Sequence, residues 1–234
     1  METMISINNL SFCYPDGKQA LQNISLEIHP GEKVALVGAN GAGKSTLLLH
    51  LNGIFEGEGE IVINGVPIEK KSLRQIRGWV GMVFQNPDDQ LFSSTVFEDV
   101  AYGPIYQGHE QQLVKQKVEE ALQSVHMSGA RERNPYHLSG GEKKKVAIAT
   151  VLAMDPRILV FDEPSAGLDP RARRELIELL QELPQTMVVA THDLDLALKL
   201  TTRTVILNQG KIAAEGPTAE LLLDETLLAK NGLY

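Results

Sequence analysis

The feature that most constrains the fold is a glycine-rich loop at residues 38–46, which reads GANGAGKST and matches the phosphate-binding pattern GxxxxGK[ST]. Residues 33–37 before the loop are an apolar run typical of a buried parallel strand. Residues 47–51 after it predict a helix that Asn52 and Gly53 end. Glycines let successive N–H groups point into one concavity, and the positive end of the following helix attracts anions there. Strand, loop and helix agree, so we predict an α/β fold that binds a nucleoside triphosphate.

Two side chains of this loop carry chemistry. In the pattern, Lys44 reaches the β- and γ-phosphates and the hydroxyl of Ser45 ligates Mg²⁺. The alternative is a glycine-rich turn that matches a short pattern by chance. The flanking strand and helix disfavour that alternative.

Two acids follow another predicted strand. Residues 158–161 are apolar and lead directly to Asp162 and Glu163. A buried strand of this kind delivers both carboxylates to the edge of the sheet where the phosphate loop also lies. We therefore expect Asp162 to hold Mg²⁺, and Glu163 to orient and deprotonate a water.

Polar residues also follow the strands predicted at 80–84 and 186–190. Gln85 is a candidate for binding the metal or the attacking water, and a solvated loop glutamine is the alternative. His192 is either an exposed, inert histidine or a contact to the γ-phosphate. The sequence alone does not choose between these interpretations.

A second glycine pair opens a helix at residues 138–142, which read LSGGE. Ser139 and Glu142 have the S-x-x-E spacing of a capping box, so the segment is explained as a good helix start. The functional interpretation is a second helix N-terminus offered to another phosphate. We expect the three lysines at 143–145 to form a solvated basic face.

The remaining elements follow from hydrophobic periodicity and turn residues. The predicted elements are short strands over 5–30 with a turn at 15–17, a strand at 60–63, a helix that starts with a capping box at 95–98 and ends at Gly103 and Pro104, a helical stripe from Leu113 to Val125 closed by Gly129, a helix after a turn at 165–170, a further helix capped by Asp193, a hairpin at 205–213 and a short helical tail at 218–234.

Tyr14 lies just before the turn at 15–17. It is either a strand-end aromatic packed on the core or a platform for a flat base.

Composition limits the class of partner. The chain has 234 residues and a net charge of −8, and an acidic balance argues against nucleic-acid binding, which needs a basic face. Its one cysteine, Cys13, excludes an internal disulfide, and we interpret it as a small apolar strand residue. No apolar run approaches the roughly 18 residues of a membrane span, and residues 1–4 do not resemble a signal peptide. We expect a cytosolic chain whose membrane role comes through a partner.

Taken in order, these motifs resemble the ATP-binding cassette (ABC) family over about residues 5 to 216. The resemblance implies a P-loop NTPase of the α/β class, with a mostly parallel core sheet flanked by helices and an N-terminal antiparallel β subdomain. It also implies one domain over residues 1–234, with a helical subdomain inserted at about 86–156. ATP and Mg²⁺ would be the ligands.

The resemblance also implies roles for individual residues. Two subunits, identical or related, would face head to tail and enclose two ATP. Glu142 departs from the commonest family pattern, which has glutamine, and its charge should weaken phosphate binding unless it folds back as a cap. The implied sets are nucleotide binding by Tyr14 (stacked on adenine), Gly38, Ala39, Asn40, Gly41, Ala42, Gly43, Lys44, Ser45 and Thr46; metal binding by Ser45, Gln85 and Asp162; catalysis by Glu163 and His192; γ-phosphate binding across the dimer by Ser139, Gly140 and Gly141; and an interface position for Asp169.

A narrower resemblance comes from residues 85–92, which read QNPDDQLF. This segment is similar to the ATPases of energy-coupling factor transporters, which import cobalt, nickel or vitamins, and would contact a transmembrane subunit. The implied function is an ATPase that powers an importer from the cytoplasmic face of the membrane, with cobalt or another divalent metal ion as cargo. The alternatives are a vitamin importer, a soluble ABC ATPase acting on nucleic acid or ribosomes, and a kinase. A kinase would leave the 139–141 motif and His192 unexplained.

Overall fold

A computed structural model of the chain describes residues 3–233. Met1, Glu2 and Tyr234, at the ends of the predicted domain and tail, lie outside the described residues. In chain order the elements are β1 (Ile5–Cys13), β2 (Gln19–Ile28), β3 (Lys33–Val37), α1 (Lys44–Leu51), β4 (Glu58–Ile63), β5 (Val66–Pro67), α2 (Leu73–Trp79), β6 (Val80–Val83), α3 (Val96–Gln107), α4 (Gln111–Ser124), α5 (Gly140–Leu152), β7 (Ile158–Asp162), α6 (Pro170–Glu182), β8 (Thr186–Thr191), α7 (Leu194–Leu200), β9 (Arg203–Asn208), β10 (Lys211–Pro217), α8 (Thr218–Leu223) and α9 (Glu225–Lys230).

Within residues 3–233 the strands form two sheets. An antiparallel sheet has the order β2-β1-β4-β5, and a larger sheet has the order β10-β9-β3-β8-β7-β6. In the larger sheet β9, β3, β8, β7 and β6 are parallel, and β10 pairs antiparallel with β9 as the predicted hairpin. Parallel strands bring their carboxyl ends to one edge, so the residues after β3, β6, β7 and β8 meet there. The predicted fold class is confirmed.

The core sheet is buried on both faces, and alternation along each strand divides its side chains between two cores. In β7, Ile158 and Val160 face α1 and the antiparallel sheet. Leu159 and Phe161 face the helices on the opposite side. Fully burying one such side chain contributes about 1.5–3 kcal/mol, so β7 is held rigidly at the point where its two acids emerge.

The predicted helical subdomain corresponds to residues between β6 and β7. Helices α3, α4 and α5 lie there and share one apolar cluster with the core sheet, through Val100, Val118, Ile148 and Leu159. The division of the chain at about 86–156 stays a prediction.

The predicted end of α3 at Gly103 and Pro104 is wrong. The helix continues to Gln107 and ends at Gly108, whose φ of 87° is left-handed. A proline inside a helix removes one hydrogen bond, but tertiary packing offsets the loss here. Gly103 and Pro104 are buried, and a Cβ at Gly103 would lie only 2.5 Å from Cγ of Met154. Close contact with the residues after α5 therefore holds the helix together.

Two smaller expectations fail, and one holds. Helix α4 ends at Ser124, and Gly129 lies in a separate single 3-10 turn. Leu113 is exposed rather than part of the buried stripe, because it stands one residue before Val114, which begins that stripe. Cys13 lies in a strand as expected, since it ends β1, where its side chain is exposed.

The predicted helical tail is present as α8 and α9. Leu222 and Leu228 pack against Ala35, Val37 and Ile206 of the core sheet. The tail therefore covers the strand that leads into the phosphate loop. Across the described part of the chain, no helix combines the length and the apolar character needed to cross a membrane.

Candidate active site

A cavity of about 330 Å³ opens at the carboxyl edge of the core sheet. It brings together the phosphate loop and side chains that the sequence placed after separate strands. The predicted residues that are not among its lining residues are Gly38, Ala39, Ala42, Ser139, Gly140, Gly141, Asp162 and Asp169. The lining comprises Tyr14, Lys18, Ala20, Asn40, Gly41, Gly43, Lys44, Ser45, Thr46, Gln85, Glu163 and His192.

Close backbone approaches force glycine at two positions of the loop. Gly43 has φ 106°, and a Cβ there would lie 2.7 Å from the carbonyl oxygen of Ala20. A Cβ at Gly38 would overlap the carbonyl oxygen of Leu207. The first turn of α1 has no side-chain cap, so its N–H groups are available to an anion.

Lys44 and His192 hold Glu163 from two sides. The Nζ of Lys44 donates to the carbonyl of Gly38 at 2.7 Å and lies 3.6 Å from Oε1 of Glu163. Oε2 of Glu163 lies 2.8 Å from Nδ1 of His192 and accepts from the His192 N–H at 3.2 Å. Glu163 is only 7% exposed and has φ 46°, a conformation that costs energy in a residue with a side chain. The strained backbone of Glu163 therefore lowers the stability of the fold and holds a buried carboxylate at the cavity.

Asp162 and Ser45 form a donor set that fits Mg²⁺. The Ser45 side chain makes a hydrogen bond with Asp162, and Oδ1 of Asp162 is buried with no hydrogen-bond partner in the described chain. Burial, together with the neighbouring charge of Glu163, raises the pKa of Asp162 against the effect of that hydrogen bond. A buried carboxylate oxygen beside a hydroxyl is the hard oxygen chemistry that Mg²⁺ requires. Gln85 lines the same cavity, and its role as a third ligand stays a prediction.

Tyr14 fits both interpretations that the sequence left open, because its ring packs on other aromatic rings and also lines the cavity. Its hydroxyl lies 2.9 Å from Oγ1 of Thr46, and its ring meets Phe12 edge-on at 5.1 Å and Phe55 at 5.8 Å. The same ring also lines the cavity. Packing therefore fixes a ring at the mouth of the site, and its stacking on adenine stays a prediction.

Ser139 caps α5, and Glu142 folds back as the second half of a capping box. Oε2 of Glu142 accepts from the Ser139 N–H at 2.8 Å, and Oε1 lies 2.7 Å from Nη1 of Arg133. The Ser139 N–H and the Arg133 guanidinium lower the pKa of Glu142 to about 2. The carboxylate is thus engaged at the helix start, as the cap interpretation requires, while Gly140 stays exposed.

We expect Glu142→Gln to change the pH dependence of stability. Because the folded-state pKa is depressed, the charge of Glu142 stabilises the fold above the ordinary glutamate pKa, and this contribution is lost as pH falls toward 2. Glutamine keeps the cap and loses the Arg133 pair, so the variant should be less stable at pH 7 by about 1 kcal/mol or less, since solvent screens the pair. Urea unfolding at pH 7 and pH 3 should show this difference shrinking. Glu182→Gln on the exposed face of α6 is the control, and an equal difference at both pH values would contradict the prediction.

The expectation of a solvated face at 143–145 is wrong. Lys144 is 3% exposed and donates to the backbone carbonyl of Gln85. Burial lowers the pKa of Lys144, while the charges of Asp162 and Glu163 act in the opposite direction. The missed signal is helical spacing, because residues 147, 148 and 151, which lie three, four and seven positions further along, are buried.

Asp169 is the N-cap of α6, where its Oδ1 accepts from Arg171 at 2.8 Å and Ala172 at 2.9 Å. It is exposed, and its interface role stays a prediction. Lys18 lines the cavity together with Ala20, and no sequence pattern pointed to either.

Comparison with known proteins gives concordant results. The family model described as ABC transporter matches residues 21–166. The energy-coupling factor transporter ATP-binding protein EcfA of Carboxydothermus hydrogenoformans is 48% identical over 237 residues, covering 100% of this chain and 87% of its own length. The structure of CbiO1 from Clostridium perfringens, part of the ABC transporter complex CbiONQ, has a TM-score of 0.88 at 34% identity, covering 100% of this chain and 96% of that one. The dimeric ATP-binding cassette MJ0796, bound to ADP and phosphate, has a TM-score of 0.83 at 29% identity, covering 92% and 99%.

Proposed function

The chain belongs to the ABC transporter family and is an ATPase, and on this premise we propose that it powers a membrane importer of the energy-coupling factor type that carries cobalt or another divalent metal ion. The observation that carries the proposal is the convergence of the phosphate loop, Glu163 and His192 on one cavity. The importer type is supported by the similarity to EcfA and CbiO1. The cargo is supported by the 85–92 segment alone, and a vitamin importer is the alternative within the same type.

In the proposed reaction, the loop N–H groups and Lys44 bind the phosphates of ATP. Glu163 orients a water and takes its proton as the γ-phosphoryl group is transferred. Its two oxygens already contact Lys44 and His192, so the groups that bind the phosphate also aim the base. Ser45 and Asp162, with Gln85, would hold Mg²⁺, which would neutralise part of the phosphate charge when bound.

The reaction needs a second subunit in this proposal, identical or related. The tip of α5 at Ser139, Gly140 and Gly141 does not line the cavity of its own chain. Presented to the cavity of a partner, its glycines permit close approach to a γ-phosphate, with Asp169 at the same interface. The dimeric state of the similar cassette MJ0796 supports this arrangement.

An aromatic groove beside the 85–92 segment is the proposed contact with the transmembrane subunit. The groove has a volume of about 510 Å³ and is lined by Phe92, Tyr102 and Met82 among others. Phe92 is 62% and Tyr102 is 58% exposed, and their rings meet edge-on at 5.5 Å. Exposed aromatic side chains along a groove are suited to receiving an apolar helix face. This contact would hold the chain at the cytoplasmic face of the membrane.

Purification of the tagged chain from membranes tests the proposal. We expect integral subunits to co-purify with the wild type and to be lost from the Phe92→Ala, Tyr102→Ala double variant. Leu223→Ala, which removes another exposed apolar side chain on α8, is the matched control and should retain them. Uptake of radioactive Co²⁺ by cells that express the complex tests the cargo. ATPase activity stimulated by nucleic acid, with no integral partner, would contradict the importer.

A further inference from the structure

Helix α5 is joined to residues 85–91, here called the Gln85 loop, by three side chains. Lys143 Nζ lies 2.6 Å from Oδ1 of Asp88, and Lys144 Nζ donates to the backbone carbonyl of Gln85. From the loop side, Nε2 of Gln90 donates to the Ala147 carbonyl at 2.8 Å and to Oγ1 of Thr150 at 2.6 Å. These contacts hold the loop against α5.

Lys144 differs from the other two links because it is buried at the catalytic end of the loop. Burying an ammonium group is costly unless it is paired, and Lys144 is only 3% exposed. Its ammonium group donates a hydrogen bond to a neutral carbonyl, while the charges of Asp162 and Glu163 act on it electrostatically. A lysine that only anchored a loop would be less costly at the surface. Lys143, whose side chain is 16% exposed, pairs instead with the carboxylate of Asp88.

The contact with Gln85 fixes the residue whose side chain lines the nucleotide cavity. Holding the backbone carbonyl restricts the positions that the side-chain amide of Gln85 can take at that cavity. Groups that hold a metal ligand in place affect metal affinity although they do not touch the metal.

We propose that Lys144 is a positioning residue of the magnesium site, which holds Gln85 through its backbone carbonyl. The inference rests on the proposed function, in which Gln85 and Asp162 hold Mg²⁺. It adds a second buried lysine to the site besides Lys44, contributed by the helix that also carries the Ser139 tip.

The test measures the affinity for a non-hydrolysable ATP analogue by calorimetry, once with Mg²⁺ and once with EDTA. For Lys144→Met, which keeps most of the length of the side chain, we expect the affinity in EDTA to be unchanged. In the wild type, Mg²⁺ should raise the affinity above its value in EDTA. In Lys144→Met this increase should be about 10- to 100-fold smaller, or absent if the wild-type increase is itself less than that. Lys144→Arg keeps the cation and the donor and should retain most of the gain.

Lys145→Met is the matched control, because Lys145 pairs with Glu175 of α6 at 2.7 Å and does not touch the Gln85 loop. If Lys144→Met does not fold, Lys144→Gln carries the same test. An equal loss of affinity with Mg²⁺ and with EDTA, or no loss at all, would overturn the role of Lys144 while leaving the metal site intact. If Mg²⁺ does not change the nucleotide affinity of the wild-type chain, both the role of Lys144 and the proposed magnesium site are overturned.

Discussion

Glu163→Gln is expected to slow ATP turnover by about 10²- to 10⁴-fold, the usual contribution of a general base, while ATP binding is retained. Glutamine has the shape of glutamate and can still accept a hydrogen bond from the N–H of His192. It has no negative charge and cannot take a proton from water. The change therefore removes the proposed chemistry and leaves the cavity intact.

The surroundings of Glu163 explain why the effect should be on kcat. The carboxylate is buried beside Lys44, in the environment where a fixed charge has a strong effect on a reacting group. Removing this negative charge next to bound phosphates should, if anything, strengthen ATP binding. We therefore expect the variant to accumulate an ATP-bound dimer that the wild type hydrolyses.

Phosphate release under single-turnover conditions measures the rate, and light scattering with ATP measures the dimer. Glu178→Gln on the exposed face of α6 is the matched control and should behave as the wild type does. Turnover within about tenfold of the wild type would show that Glu163 is not the base. The water would then have to be oriented by another group that lines the cavity, and His192 would be the next to test.

The fold was predictable where the relevant interactions are local or periodic. The phosphate loop determined its own strand and helix, and the capping boxes at Thr95 and Ser139 are formed as their spacing predicts. Apolar runs that end in polar residues located the catalytic edge, because parallel strands must end on the same side. Each of these features is contained within a few residues of sequence.

The errors arose where distant residues decide the outcome. Pro104 lies inside α3 because of packing around Met154, a residue that follows a different helix. Lys144 is buried because its partner is the carbonyl of Gln85, 59 positions earlier in the chain. A single sequence shows that a lysine could lie on a buried helical face, but it does not show which carbonyl compensates the charge.

The nature of the cavity explains why the predicted residues could be found but their partners could not. Glu163, His192 and Lys44 are recognisable because each occupies a fixed place after a strand or within the loop. Their mutual distances depend on the register of β3, β7 and β8, which no local pattern specifies. The structure thus adds the contacts of Glu163 with two side chains of different kinds, a lysine and a histidine.

Lys44→Ala is expected to weaken ATP binding itself, in contrast to Glu163→Gln. Nζ of Lys44 is buried at the floor of the cavity, where the Gly38 carbonyl holds it in place. Removing one partner of a buried, charge-assisted contact costs about 2–5 kcal/mol, which corresponds to a loss of at least about 30-fold in affinity. Alanine also leaves the carboxylate of Glu163 without its lysine, which adds repulsion toward the phosphates.

The two variants together separate binding from chemistry. Equilibrium titration with ATP should show the loss for Lys44→Ala and for Lys44→Met, which keeps most of the side-chain volume, but not for Lys115→Ala on the exposed face of α4. Thermal unfolding without nucleotide identifies any variant that fails to fold. If Lys44→Met binds ATP as tightly as the wild type and only hydrolyses it slowly, Lys44 acts in the transition state alone. The phosphates would then be held by the backbone N–H groups and the uncapped first turn of α1, and the lysine would belong with Glu163 in the chemical step.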